Sequence, residues 1–114
     1  MRPSALVLDV NDLDGQSAFW SALLGMQVTS REDDWLDLGP LAGAGPVLSL
    51  QRVPERKAVK NRLHLDLSVD DFAASAARAA ELGARPASER HGSERPWQVF
   101  ADPEGNEFCL VTAD

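Results

Sequence analysis

The sequence repeats itself. Ala5-Leu-Val-Leu-Asp-Val-Asn-Asp12 is matched by His64-Leu-Asp-Leu-Ser-Val-Asp-Asp71, fifty-nine residues further on. Each stretch leads into a helical pattern, over residues 16–24 in the first half and 72–82 in the second, and each pattern stops at Leu-Gly (Leu24-Gly25 and Leu82-Gly83). Glycine there accepts the left-handed conformation that ends a helix. Asp12 or Asp14, and Asp70 or Asp71, supply the N-cap carboxylates at the opposite ends. Trp35-Leu-Asp-Leu then aligns with Trp97-Gln-Val-Phe, and Gly45-Pro-Val-Leu-Ser-Leu-Gln with Gly105-Asn-Glu-Phe-Cys-Leu-Val. Asp102-Pro-Glu-Gly-Asn106 is a tight-turn signal, with Pro103 pre-set for the first corner and Gly105 free to take positive φ. Each half therefore reads β-α-β-β-β, with module 1 over about 1–53, a polar linker over about 54–60 and module 2 over about 61–114. A unit of ~55 residues buries little surface alone, so the halves are expected to share one core as a single domain.

Period-two alternation sorts the side chains by face. Leu63, Leu65, Leu67 and Val69 form one face of their strand, which leaves His64, Asp66 and Ser68 on the other. Leu6, Leu8 and Val10 likewise oppose Ala5, Val7 and Asp9. Leu48 and Leu50 oppose Val47, Ser49 and Gln51, and Phe108 and Leu110 oppose Glu107, Cys109 and Val111. Leu36, Leu38 and Phe100 belong under the helices, so Trp35, Asp37, Trp97 and Val99 point away from them. The α+β architecture expected from this is two βαβββ modules forming a curved mixed sheet cup, with the helices on its convex side. The inner face would combine two tryptophans with Asp9, Asp37, Ser49, Gln51, His64, Asp66 and Cys109. A concave apolar wall with a few convergent polar groups is what small-molecule sites look like. The same face could instead pack against a second subunit, or the tryptophans could simply fill it.

Charge narrows the partners. Eleven Lys and Arg against eighteen Asp and Glu give a net charge of −7. Five cations face eight anions through residue 57, and six face ten beyond it, so neither half hides a basic arm. Nucleic acid and anionic membranes both need clustered positive charge, and neither is an expected partner. A cationic small ligand would be tolerated. One cysteine, Cys109, forbids an intrachain disulfide and excludes cysteine-cluster zinc sites. The apolar run after Met1 breaks at Asp9, too early for a secretory signal, so cytoplasmic residence is expected. No phosphate-binding glycine loop and no Gly-x-Ser-x-Gly elbow is present. Glu32-Asp33-Asp34 reads as a solvated hairpin turn. His91 reads as a solvated residue of a polar stretch, with Arg85, Arg90 and Arg95 clustered near it and able to gate a pocket mouth for an anion, their field partly cancelled by Glu89 and Glu94.

The doubled β-α-β-β-β plan, Phe19-Trp-Ser-Ala-Leu-Leu-Gly25, His64-Leu-Asp-Leu-Ser-Val-Asp-Asp71, Glu81-Leu-Gly-Ala84 and Phe100-Ala-Asp-Pro-Glu-Gly-Asn-Glu-Phe-Cys-Leu-Val111 resemble the vicinal oxygen chelate superfamily. That group takes in glyoxalase I, extradiol dioxygenases and the bleomycin-resistance proteins. The resemblance runs from about Ala5 to Val111 and is nearest to the short glyoxalase-like domains. In metal-dependent members of that superfamily, a His on the first strand, a Glu on the fourth, a His on the fifth and a Glu on the eighth hold the ion. Carried over, these positions fall on Ala5, on Ser49 (or Gln51 if the register slips), on His64 and on Cys109. One ligand of the four is retained. A His64, Cys109 and Asp66 set is the remaining way to assemble three donors for a divalent metal.

Three functions follow as expectations. The first is a metal-independent protein that binds a small amphipathic or aromatic molecule in a tryptophan-lined cup, with no cofactor. The second is a divalent-metal-dependent lyase, isomerase or dioxygenase of the glyoxalase type using His64, in which the metal would polarise vicinal oxygens. A structural or regulatory module using the concave face as a protein surface is a third. A homodimer with twofold symmetry is expected in each case, its cup closing within one chain or across the dimer.

Overall fold

The computed structural model describes residues 1–113. The chain divides into two compact units, Met1–Arg56 and Lys57–Asp114. In the first, β1 (Ala5–Val10) leads through α1 (Leu13–Leu24) to β2 (Val28–Arg31), β3 (Trp35–Pro40) and β4 (Val47–Arg52). The second follows the same order with β5 (Leu65–Val69), α2 (Phe72–Leu82), β6 (Arg85–Pro86), β7 (Trp97–Ala101) and β8 (Glu107–Thr112). Each unit is thus βαβββ, as the repeat implies.

The strand orders are β1-β4-β3-β2 and β5-β8-β7-β6. In each sheet the first strand runs parallel to the last and the other neighbours are antiparallel. The parallel pair is possible because an αββ segment carries the chain back to the starting edge, whereas a hairpin cannot. The registers repeat as well. Asp37 pairs with Ser49 as Val99 pairs with Cys109, and Trp35 pairs with Gln51 as Trp97 pairs with Val111.

Both helices are delimited by the residues that the chemistry demands. Asp12 and Asp71 are the N-caps, with carboxylates accepting from Gly15 N and Ala74 N at 3.0 Å. Gly25 and Gly83 close the helices at φ of 65° and 113°. α1 begins one turn before the apolar pattern suggests, because Asp12 rather than Asp14 is the cap. Its buried side, Leu13, Gln16, Ser17, Phe19 and Trp20, packs on β3 and β4. Trp20 Nε1 donates to Gln16 Oε1 at 3.2 Å, which satisfies a polar pair inside the core. Leu36, Leu38, Leu48 and Leu50 form the sheet's helix-covered face and are almost fully buried. In the second unit α2 packs on β8, and Phe100, Phe108 and Leu110 fill the corresponding layer. Among the described residues, no helix is long and apolar enough to cross a membrane.

One strand is shorter than the alternation predicts. β5 starts at Leu65, and Leu63 is 70% exposed instead of joining the leucine face. Asn61 holds this entry in a local turn: its Nδ2 donates to Leu63 O, and its backbone N–H donates to Glu107 Oε1, each at 3.3 Å.

Candidate functional site

Each sheet has one face beneath its helix and one without. On the helix-free face of the first unit, Asp9, Gln51 and Trp35 form one cross-strand row, and Val7, Ser49 and Asp37 the next. Asp37 organises this surface. Its Oδ1 accepts from Trp35 Nε1 at 2.8 Å and from Ser49 Oγ at 2.6 Å, the latter from a serine that is 1% exposed. The tryptophan ring is therefore tethered by its polar edge while its faces stay apolar. Asp9 and Gln51 are exposed. Beyond the row, the carboxylate of Asp34 in the acidic turn pairs with Arg52.

On the helix-free face of the second unit the rows are Asp66, Cys109 and Val99, then Ser68, Val111 and Trp97. Trp97 is 41% exposed. His91 lies against it, with ring centroids 4.2 Å apart and planes 19° from parallel. The stack is anchored by a backbone bridge, His91 N to Trp97 O at 2.9 Å and Trp97 N to His91 O at 3.0 Å. His91 is thus a ring partner as well as an exposed residue, a role invisible in a stretch of turn-forming residues. Of the three arginines near it in sequence, Arg90 sits 4.8 Å over the Phe72 ring, and Arg85 belongs to β6. His64 lies just before β5 and is exposed, with Nε2 3.2 Å from Asp66 Oδ1.

Cys109 is 4% exposed. Burial raises its thiol pKa above the ordinary value, and the nearby Asp66 charge pushes the same way, against a backbone N–H from Gln98 that lowers it. A thiol held protonated is a poor nucleophile. It also makes stability pH-dependent. The unfolded chain loses this proton first, so the contribution is intact at neutral pH and declines as pH rises past the ordinary thiol range of ~8.5. Urea titrations of the native protein and Cys109→Ala are expected to diverge across that alkaline window, with the native protein losing more. Parallel pH profiles would contradict it.

The donors do not suit a divalent ion. Ala5 offers none, Ser49 gives its hydroxyl to Asp37, Gln51 projects from the exposed row beside Trp35, and the Cys109 thiol is buried. Within either unit, no three His, Cys, Asp or Glu side chains among the described residues are grouped to hold a metal. His64, Asp66 and Cys109 are neighbours along one sheet face without converging.

An open cleft of about 440 Å³ lies at the β6 edge of the second unit. Arg85, Ala101 and Glu107 form a cross-strand row on its floor, Val99 continues it, and Lys60, Pro86, Ala87, Ser88 and Gly105 complete it. The tight turn Asp102–Asn106 underlies one end. The sequence singles out Arg85 as a pocket-mouth cation, but Lys60 and Glu107 lie 25 and 22 residues from it and join it only through the fold.

The doubled unit and its repeated registers now meet the comparison that decides the family: the model of the glyoxalase-like domain matches residues 5–111. The chain belongs to the glyoxalase-like domain family. This places it in the vicinal oxygen chelate superfamily, as its sequence resemblance implied. Solved structures of that fold are similar to it along nearly their whole length. A glyoxalase/bleomycin resistance protein/dioxygenase family enzyme from Burkholderia phytofirmans is 18% identical, with 98% of each chain covered and a TM-score of 0.78. The fosfomycin resistance protein FosX from Mesorhizobium loti is 17% identical over 100% of this chain and 92% of its own, with a TM-score of 0.77. A glyoxalase-related enzyme from Fulvimarina pelagi is 15% identical over 99% and 88%, also at 0.77. At such identities the likeness carries the glyoxalase fold and no more. The comparison with curated proteins found no match.

Proposed function

We propose that this glyoxalase-like protein binds a small amphipathic or aromatic molecule on the helix-free faces of its sheets, without a catalytic metal, and works in the cytoplasm as a homodimer. The observation that carries the reading is Trp97: a large aromatic left 41% exposed, on the face opposite the helix, with His91 stacked at 4.2 Å. Exposed tryptophans of this kind are costly to leave unpartnered, and their π-faces suit planar or cationic groups. Trp35 occupies the equivalent position in the other unit and is held by Asp37. The poor donor set argues against the metal-dependent alternative on chemistry, since the retained His64 meets Asp66 but no third donor among the described residues.

The test is intrinsic fluorescence against a library of aromatic and cationic metabolites. Trp20 is buried in the core and serves as an internal constant. A ligand is expected to quench or shift the Trp35 and Trp97 emission, and Trp97→Ala to weaken binding about two- to tenfold, the worth of one stacking contact of ~0.5–1.5 kcal/mol. An emission unchanged across the whole library would remove the reading's main support.

A further inference from the structure

The cleft at the β6 edge concentrates positive charge on an acidic protein. Glu107 is its one carboxylate, and it is already matched: Lys57 Nζ stands 3.2 Å from Glu107 Oε1, both side chains largely buried, and Asn61 N–H donates to the same oxygen. Arg85 and Lys60 remain, and among the described residues neither is placed in an ion pair. Lys57, Lys60 and Arg85 against Glu107 leave a local surplus of two positive charges in a chain whose total is −7. The guanidinium reaches across the glycine of the turn: a Cβ on Gly105 would lie 4.0 Å from Arg85 Nη2 and 3.8 Å from Lys57 Cδ. Gly105 has a φ of 92°, which also reserves the position for glycine. Apart from Ser88 and Gly105, the rest of the wall is apolar, from Pro86, Ala87, Val99 and Ala101.

From this we infer that the cleft is an anion site, taking the carboxylate or phosphate group of a small molecule whose apolar body lies along Val99, Ala101 and Pro86. Arg85 is the binding residue, because its planar fork matches a two-oxygen anion in a way that a lysine ammonium does not. Lys60 adds charge at the rim. Lys57 is a positioning residue that holds Glu107 neutralised, so that this carboxylate does not repel the ligand. The cleft's volume falls within the usual range for small-molecule sites. The inference rests on the reading that the second unit's helix-free face receives a ligand, and it assigns that ligand's charge as negative, where the chain's net charge taken alone would favour a cation.

The experiment follows backbone amide shifts of the whole protein during titration with benzoate, inorganic phosphate and the neutral benzyl alcohol, at low and high salt. Benzoate is expected to shift Gly105, Ala87 and Val99, to weaken with salt, and to bind about tenfold more weakly to Arg85→Gln. Arg85→Lys, which keeps the charge and loses the fork, is expected to fall in between. Phosphate binding without benzoate binding assigns a phosphate ligand, and the reverse a carboxylate. Anions that leave these amides unmoved, or that bind Arg85→Gln as well as the native protein, overturn the inference. If benzyl alcohol alone bound, with Trp97 quenched equally in Arg85→Gln, the anion site would fall while the aromatic-binding reading stood.

Discussion

Replacing Asp102 by alanine is expected to cost about 3 kcal/mol, the largest loss from any polar substitution considered for this chain. Asp102 is fully buried in the turn between β7 and β8. Its Oδ1 accepts from Glu104 N and Asn106 N, each at 2.9 Å, and Oδ2 from Asn106 Nδ2 at 3.2 Å. Its own backbone closes the turn, Asp102 N to Asn106 O at 2.8 Å and Gly105 N to Asp102 O at 2.9 Å. Alanine removes the acceptor of three donors at once, and Asn106 is itself 7% exposed, so water reaches this turn poorly. Each buried donor left unmatched costs ~1–3 kcal/mol, and the turn recovers part of that by relaxing. Asn, which keeps one acceptor oxygen and turns an amide toward Asn106 Nδ2, should lose about half as much. Urea unfolding with an unchanged slope measures both. A loss below ~1 kcal/mol would mean that the turn is solvated and that the carboxylate does not organise it. The consequence reaches the helix-free face proposed to take a ligand, since this hairpin carries Trp97, Val99 and Cys109, and its turn carries Gly105 of the cleft.

That turn was legible from Asp102-Pro-Glu-Gly-Asn106, because turn chemistry is local. So were the caps: an aspartate before each helical pattern and a glycine after it need no tertiary information. The faces were legible because Leu36, Leu38, Leu48 and Leu50 alternate with polar residues, and a one-residue slip would have buried Asp37 and exposed the leucines. What failed was contingent on non-local bonding. Leu63 continues the leucine alternation on paper, yet the strand begins at Leu65, and just before it Asn61 N–H is bonded to Glu107 forty-six residues away. His91 has neighbours in sequence that all suggest solvent, and its ring partner is set by a bridge to Trp97. Arg85, Lys60 and Glu107 are separated by more than twenty residues at each step, and a two-residue strand, β6, is too short to leave a periodic signal. Strand alternation placed Asp9, Trp35, Asp37, Ser49 and Gln51 on one sheet face, and the registers do the same. The side chains that make the cleft had to be seen in place.

Asp37→Ala is expected to cost about 2 kcal/mol and to change the emission of Trp35, two effects with one origin. A single oxygen, Asp37 Oδ1, accepts both the Trp35 indole N–H and the Ser49 hydroxyl. Truncation strands the hydroxyl of a serine that is 1% exposed, and it releases the polar edge of the ring. The stability loss should therefore be coupled to Ser49 and the spectral change should not. In a double-mutant cycle, Asp37→Ala with Ser49→Ala is expected to lose ~1 kcal/mol less than the two singles predict, because no orphaned hydroxyl remains. The Trp35 emission should shift to the red in Asp37→Ala and in the double variant alike, while Ser49→Ala alone leaves it near native. The second unit supplies the physical control within the same chain: the repeat places Val99 and Cys109 where the first has Asp37 and Ser49, and there the tryptophan is held by stacking on His91 rather than by a carboxylate. If strict additivity were found, the Ser49 hydroxyl would owe nothing to Asp37, and an unchanged emission in Asp37→Ala would mean that Trp35 owes its orientation to packing alone.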